Sequence, residues 1–199
     1  MDLISACKII EATRRKSVLV STMGAMFAFD LLGAAQPRMS SVPLMGGAAS
    51  LGLGIAIAAP SHRVVVVDGD ASLLMQLGGL VTVADRRPTN FFHFVIRNGT
   101  QFTGVSNLSV PAEASVDFAA MAAAAGYRAT FRFDDLDQFA AEAEKLFARE
   151  GPVFVELRVP PLPGTPGRPV DFELPDQQFQ RMGLEARALS SWLKDNPHG

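Results

Sequence analysis

The stretch "RVVVVDGDASLLMQLGG", Arg63 to Gly79, decides the fold. Four valines lead into Asp68-Gly69-Asp70, and small residues then open onto an apolar segment. A β-branched run without polar alternation suits a central parallel strand, because helices cover both of its faces. A helix that starts directly after such a strand makes a β–α unit. In open sheets of these units, ligands collect at the carboxyl ends of the strands, where the two aspartates stand. The helix start offers free N–H groups and a partial positive charge, which suits a phosphate. A carboxylate beside a phosphate repels it unless a cation lies between, so Asp70 points to phosphate together with Mg²⁺. Taken alone, the same acidic pair also serves as a helix cap and turn former.

Outward from this stretch, strands and helices alternate. "LISACKIIEATRR" has helical apolar spacing, and "SVLVSTMG" reads as a strand ending in a turn at Gly24. "AMFAFDLLGAA" reads as a second helix stopped near Pro37, and a small-residue helix runs from Gly46 to Ala59. After the valine strand, "ASLLMQLGGLVTVADRR" reads as one helix closed before Pro88. "NFFHFVIRNGT" is a buried strand with a turn at Asn98-Gly99. A helix follows, capped by Ser115 or Asp117 and ended at Gly126, then the strand "YRATFRF". A helix capped by Asp134 or Asp135 and the strand "PVFVELRVP" complete the pattern. The alternation predicts an α/β fold: a doubly wound, mostly parallel sheet with helices on both faces. Residues 1–159 form one domain in this reading. Residues 160–199 form a Pro-rich arm and a C-terminal amphipathic helix, with Phe179, Met182, Leu189, Trp192 and Leu193 on one side.

Composition narrows the function classes. Of 199 residues, 48% are hydrophobic and 19% charged, enough apolar mass for a sizeable core. The net charge of −2, without a basic block, argues against a nucleic-acid partner. Cys7 is the sole cysteine, which excludes an internal disulfide and a cysteine-ligated cluster. No signal peptide precedes the first helix, so a cytoplasmic location is expected. "VPLMGGAASLGLGIAIAAP", Val42 to Pro60, has nearly the length of a membrane span, but four glycines and few large apolar residues favour a helix buried against a sheet or a subunit. No membrane association is expected.

A second strand end completes the chemistry. Asn98 occurs at a comparable position, 28 residues after Asp70. A carboxylate, an amide oxygen, a backbone carbonyl, two diphosphate oxygens and water make the octahedron that Mg²⁺ prefers. "GDA", 26 residues and "N" resemble the diphosphate-binding motif of thiamine diphosphate enzymes, GDG followed after about two dozen residues by N or NN. The frame "PLMGGAASLGLGIAIAAPSHRVVVVDGDASLLMQLGGLVTVADRRPTNFFHFVIRNGTQFTG" is similar to the cofactor half of the phosphonopyruvate and sulfopyruvate decarboxylases. The resemblance covers Leu3 to Val159, and the chain length resembles that of the separate β subunit of the sulfopyruvate enzymes.

The resemblance implies the following roles. Asp70 and Asn98 ligate Mg²⁺ with the Thr100 carbonyl. Gly69, Ala71 and Ser72 meet the diphosphate. Met45 is the wedge that holds thiamine diphosphate in its V shape, and the Pro43 carbonyl accepts from the aminopyrimidine. Leu44 and Gly24 lie near the cofactor, and Gln101 and Phe102 line the substrate side. Read from the residues themselves, Asp68 is a turn or supporting residue, His93 within "FFHFV" is a satisfied sheet histidine, and His62 and His198 are exposed. Arg97 replaces the family's Asp or Asn. It either pairs with an anionic group or is solvated at the strand end. Ala71 replaces a glycine, and Pro43 and Leu44 replace Gly and Ser.

The implied reaction is decarboxylation of a small 2-oxoacid, with the thiazolium taking up the electrons released with CO₂. The glutamate that activates the aminopyrimidine sits in a separate pyrimidine-binding domain in this family. Glu11, Glu142, Glu144 and Glu150 read as surface helix residues here. The chain is therefore expected to be the β-type half of a split enzyme, completed in a hetero-oligomer by an α-type subunit. Alternatives are half of a split carboligase or transketolase-like enzyme, or a non-catalytic cofactor-binding subunit.

Overall fold

The computed structural model describes residues 1–41, 45–163 and 177–198. Helix α1 (Leu3–Arg14) precedes β1 (Val18–Ser21), α2 (Met23–Leu31) and β2 (Arg38–Ser40). Next come α3 (Ala48–Ala58), β3 (Val64–Gly69), α4 (Asp70–Met75), α5 (Gly79–Arg86) and β4 (Phe91–Arg97). A short hairpin, β5 (Thr100–Gln101) and β6 (Leu108–Ser109), leads to α6 (Phe118–Ala125) and β7 (Ala129–Phe133). The chain continues through α7 (Leu136–Phe147), β8 (Val153–Arg158) and α8 (Gln177–Asp195).

Six strands form one sheet in the order β2-β1-β3-β4-β8-β7, and every pairing in it is parallel. The strand alternation sorts the core into two layers. Val65, Val67, Phe92 and Phe94 face α1, α2 and α7, where they meet Ile10, Phe29, Phe139 and Leu146. Val64, Val66, Phe91 and Val95 face α3, α5 and α6, meeting Leu53, Val83 and Phe118. The four valines of β3 are all 0% exposed, and each stabilises the fold by ~1.5–3 kcal/mol relative to an exposed side chain.

The small-residue stretch has a packing cause. A Cβ built at Gly52 of α3 would stand 2.3 Å from Val66 Cγ2 and 3.2 Å from the Phe91 ring, so α3 lies on β3 at glycine distance. One face of α3 is buried on the sheet, as expected, while Ser50, Gly54 and Ile57 on the other are exposed, and no helix among the described residues is long and apolar enough to cross a membrane.

Several expectations need correction. The predicted helix after the valine strand is two helices, α4 and α5, broken at Gln76–Gly78. The Gly79 N–H turns back to the Gln76 carbonyl at 2.8 Å, and Gln76 seats against Gly46. The turn after β1 falls on Thr22-Met23, with Met23 at φ 49°, and Gly24 lies inside α2. Neither the three-residue β2 nor the β5–β6 hairpin was predicted, since both are too short for periodicity to show. His62 is buried, not exposed: its ring meets Trp192 of α8 edge-on at 5.3 Å. The caps resolve to Asp117 and Asp135, whose side chains accept from the N–H groups of Ala120 and Gln138.

Helix α8 lies along the free edge of β2. Glu185 accepts the Ser40 N–H at 2.6 Å, and Arg181 bridges Asp30 and Glu185 at 2.9 and 3.2 Å.

Candidate functional site

From β1 the chain goes to β2 on one side, and from there crosses to β3 on the other. α2 and α3 therefore lie on opposite faces. A crevice opens where the connections diverge, at the carboxyl ends of β1 and β3. The cleft found there is lined by Thr22 to Ala25, Phe27, Met45, Asp68 to Ser72, Asn98 and Thr100 to Thr103, with apolar walls from Leu3, Met75 and Ile96. It brings together Gly24, Met45, Gly69, Asp70, Ala71, Ser72, Asn98, Thr100, Gln101 and Phe102 of the predicted set. Pro43 and Leu44 lie outside the described residues.

Asp70 is the centre of the cleft's polarity. It is 1% exposed. Its Oδ1 accepts the Ala71 N–H at 2.8 Å and its Oδ2 accepts the Gly99 N–H at 2.7 Å, which ties the end of β3 to the turn after β4. Burial pushes the Asp70 carboxyl above the usual carboxylate range. The N–H bonds from Gly99 and Ala71 and the charge of Arg97 pull the other way without offsetting it. Asn98 Oδ1 accepts from Thr100 N at 2.9 Å and from the Thr100 hydroxyl at 3.2 Å, which folds the Asn98–Thr100 turn on itself. The Ser72 hydroxyl accepts the Gly46 N–H at 2.7 Å and so fastens the Met45-Gly46 segment to α4, while its own proton remains available for donation. The Ala71 N–H is engaged by the Asp70 carboxylate.

The donor set can be tested for a cation. A buried carboxylate raised by desolvation gains from a neighbouring positive charge. Asn98 and Thr100 line the same cleft, so an amide oxygen and a main-chain carbonyl are available beside the carboxylate, hard donors that suit Mg²⁺ better than a soft-ligand metal. No group of three or more His, Cys, Asp or Glu among the described residues could hold a metal ion. A cation at Asp70 therefore needs Asn98, the main chain and non-protein oxygens, and the residues present fit that requirement.

Two supporting clusters were read incompletely from sequence. His93 is 0% exposed; its Nδ1 shares a hydrogen bond with the Tyr127 hydroxyl at 3.1 Å, and its ring meets Phe154 at 5.2 Å. Its Nε2 faces Asp68 Oδ2 at 3.9 Å, and neither atom has a hydrogen-bond partner, so this histidine is satisfied at one nitrogen only. Asp68 itself lines the cleft, and its Oδ1 accepts the Gly69 N–H at 2.8 Å. Arg97 is neither solvated nor waiting for an external anion. It is buried and paired with Glu156 of β8 at 2.8 Å. Sequence reading missed Glu156, although a single carboxylate inside the apolar run "VFVELR" is a signal, because a buried charge needs a partner.

Switch point, cleft and buried oxygen donors define a cofactor-binding α/β domain. Residues 22–157 match the family described as "Thiamine pyrophosphate enzyme, C-terminal TPP binding domain", and the chain belongs to that family. It is 43% identical to phosphonopyruvate decarboxylase of Streptomyces viridochromogenes over 122 residues, 60% of this chain and 30% of that protein. It is 40% identical to the sulfopyruvate decarboxylase subunit beta of Methanothermobacter thermautotrophicus over 117 residues, 59% of each chain. The matched region is thus well under half of the first relative and somewhat over half of the second. The thiamine diphosphate-dependent 4-hydroxybenzoylformate decarboxylase of Rhodococcus jostii RHA1 shares the fold, with a TM-score of 0.67 at 19% identity over 83% of this chain and 33% of that one.

Proposed function

We propose that this chain is the diphosphate-holding half of a thiamine diphosphate- and Mg²⁺-dependent 2-oxoacid decarboxylase of the sulfopyruvate or phosphonopyruvate type. Asp70, Asn98 and the Thr100 carbonyl hold Mg²⁺ against the diphosphate. The Ser72 hydroxyl donates to a diphosphate oxygen. Met45 props the cofactor from below, and the Pro43 carbonyl accepts from its aminopyrimidine. When bound, the cofactor supplies an electron sink for the carbon–carbon bond that breaks. The chain's own residues place it, and the apolar walls of Leu3, Phe27 and Ile96 exclude water from one side of it.

The carrying observation is the composition of the cleft: it has a buried Asp70 and an Asn98, yet no glutamate among the described residues lines it. Glu156 is engaged by Arg97, Glu11 by Arg14, and Glu185 by Ser40 and the arginines around it. The activating glutamate comes from an α-type pyrimidine-binding partner, in a cytoplasmic hetero-oligomer. The existence of a sulfopyruvate decarboxylase subunit named beta supports this division. The test is reconstitution. The chain and its co-purified partner are assayed separately and together, with Mg²⁺ and thiamine diphosphate, for CO₂ release from a panel of 2-oxoacids. Activity confined to the mixture is expected; full activity of this chain alone refutes the division, and an inactive mixture refutes the decarboxylase reading.

A further inference from the structure

We propose that Arg97, clamped on Glu156, is a positioning residue for the Asn98–Thr100 turn and acts through Glu113. This rests on the metal-site reading above. Arg97 closes β4 one residue before Asn98. Its two terminal nitrogens go to different places: Nη1 to Glu156 Oε1 at 2.8 Å, and Nη2 to the Glu113 carbonyl at 2.7 Å. The guanidinium therefore bridges a rigid central strand and an exposed loop. A fork of donors in fixed geometry can make that bridge, and a single ammonium cannot make it equally well.

Glu156 is itself held. Its Oε2 accepts the Ala119 N–H at 3.3 Å, and Arg132 of β7 stands 3.5 Å from its Oε1. Arg97 also lies over the Phe118 ring, 5.8 Å from its centroid. The anchor is thus fixed from β8, β7 and α6 together.

The loop it grips stands directly behind the turn. A Cβ on Gly99 would meet Glu113 Cγ at 2.8 Å and Oε1 at 3.0 Å, so the Glu113 side chain rests against the Gly99 α-carbon. The Gly99 carbonyl accepts the Val110 N–H at 3.0 Å, a second tie to the segment before α6. The Gly99 N–H meets Asp70 Oδ2 at 2.7 Å. Gly99 is held in the left-handed region at φ 72°, between a backing and a carboxylate. Releasing Glu113 removes the backing and lets the turn carry Asn98 and Thr100 away from Asp70.

The experiment uses the assembled complex. Mn²⁺ is titrated with thiamine diphosphate present, and free Mn²⁺ is followed by its paramagnetic resonance signal. Thermal unfolding of the metal-free complex is recorded beside it. Arg97→Met and Glu113→Ala are expected to weaken Mn²⁺ about tenfold each. Arg97→Lys is expected to recover part of the loss, and Glu113→Gln, which keeps the backing and drops the charge, most of it. Glu113 is exposed, so its variants fold even where Arg97→Met does not. Mn²⁺ affinity within twofold of wild type in Glu113→Ala overturns the proposal, whatever the melting temperatures do. Absence of Mn²⁺ binding by the wild-type complex overturns the metal-site reading instead.

Discussion

Replacing Asp70 with asparagine separates the two jobs of this carboxylate. In the metal-free chain its oxygens accept two backbone N–H groups, at 2.8 and 2.7 Å. An asparagine keeps one acceptor and turns an NH₂ toward the other donor. A buried donor left without a partner costs ~1–3 kcal/mol. Against this, the variant no longer buries a charge that desolvation disfavours. The sign follows from the raised pKa. An acid whose folded pKa lies above its unfolded one destabilises the folded state while charged. That penalty is full above the folded pKa and fades as pH falls through it toward the unfolded value. Wild type therefore gains stability relative to Asp70→Asn on acidification through that window. With Mg²⁺ and thiamine diphosphate at about a hundred times the dissociation constant, wild type gains ~2.7 kcal/mol. For a chain of this size that raises the melting temperature by roughly 5–10 °C, at ~2–4 °C per kcal/mol. Thermal unfolding by circular dichroism, with and without the pair of ligands, is the assay. Asp70→Asn should show almost none of the rise. A variant that keeps the full rise would refute Asp70 as the cation's ligand.

Three further outcomes are expected. Ser72→Ala leaves the Gly46 N–H without its partner; it should lose ~1–3 kcal/mol in urea titration and bind thiamine diphosphate more weakly by calorimetry, and unchanged values on both counts would exclude the fastening role. Gly52→Ala forces a methyl against Val66 Cγ2, so overpacking of ~1–3 kcal/mol should outweigh a helix-propensity gain of ~1 kcal/mol, and adding Val66→Ala should restore part of the loss. Cys7 is 0% exposed and burial pushes its thiol far up, so a chromogenic disulfide reagent should label it only as fast as the chain unfolds; prompt labelling of the folded chain would contradict its burial.

The parts of this molecule that were legible in the sequence are those where one force dominates. Val64 to Val67 could hardly be anything but a covered strand, and Asp70 with Asn98 marked two strand ends that the sheet does bring to one cleft. What was not legible depends on contacts distant in sequence. The break at Gln76–Gly78 follows from Gln76 seating on Gly46. The burial of His62 follows from Trp192 in a helix 115 or more residues later. Arg97 looked like a strand-end cation because its partner, Glu156, lies 59 residues on. Periodicity has no access to such pairs. The three-residue β2 exists because β1 offers it an open side, not because "RMS" prefers extension.

The cleft draws its walls from five separate segments: Leu3, and stretches near residues 22–27, 45, 68–75 and 96–103. Parallel neighbours are joined only through crossovers, so β1, β3 and β4 must all be docked before those segments meet. Such long-range pairings are late and slow events in folding. A ligand that touches all of these segments can therefore bind only where the three strands are already side by side. Binding of that kind stabilises the folded sheet and not the unfolded chain, so occupancy of the cleft and completion of the sheet are linked by mass action.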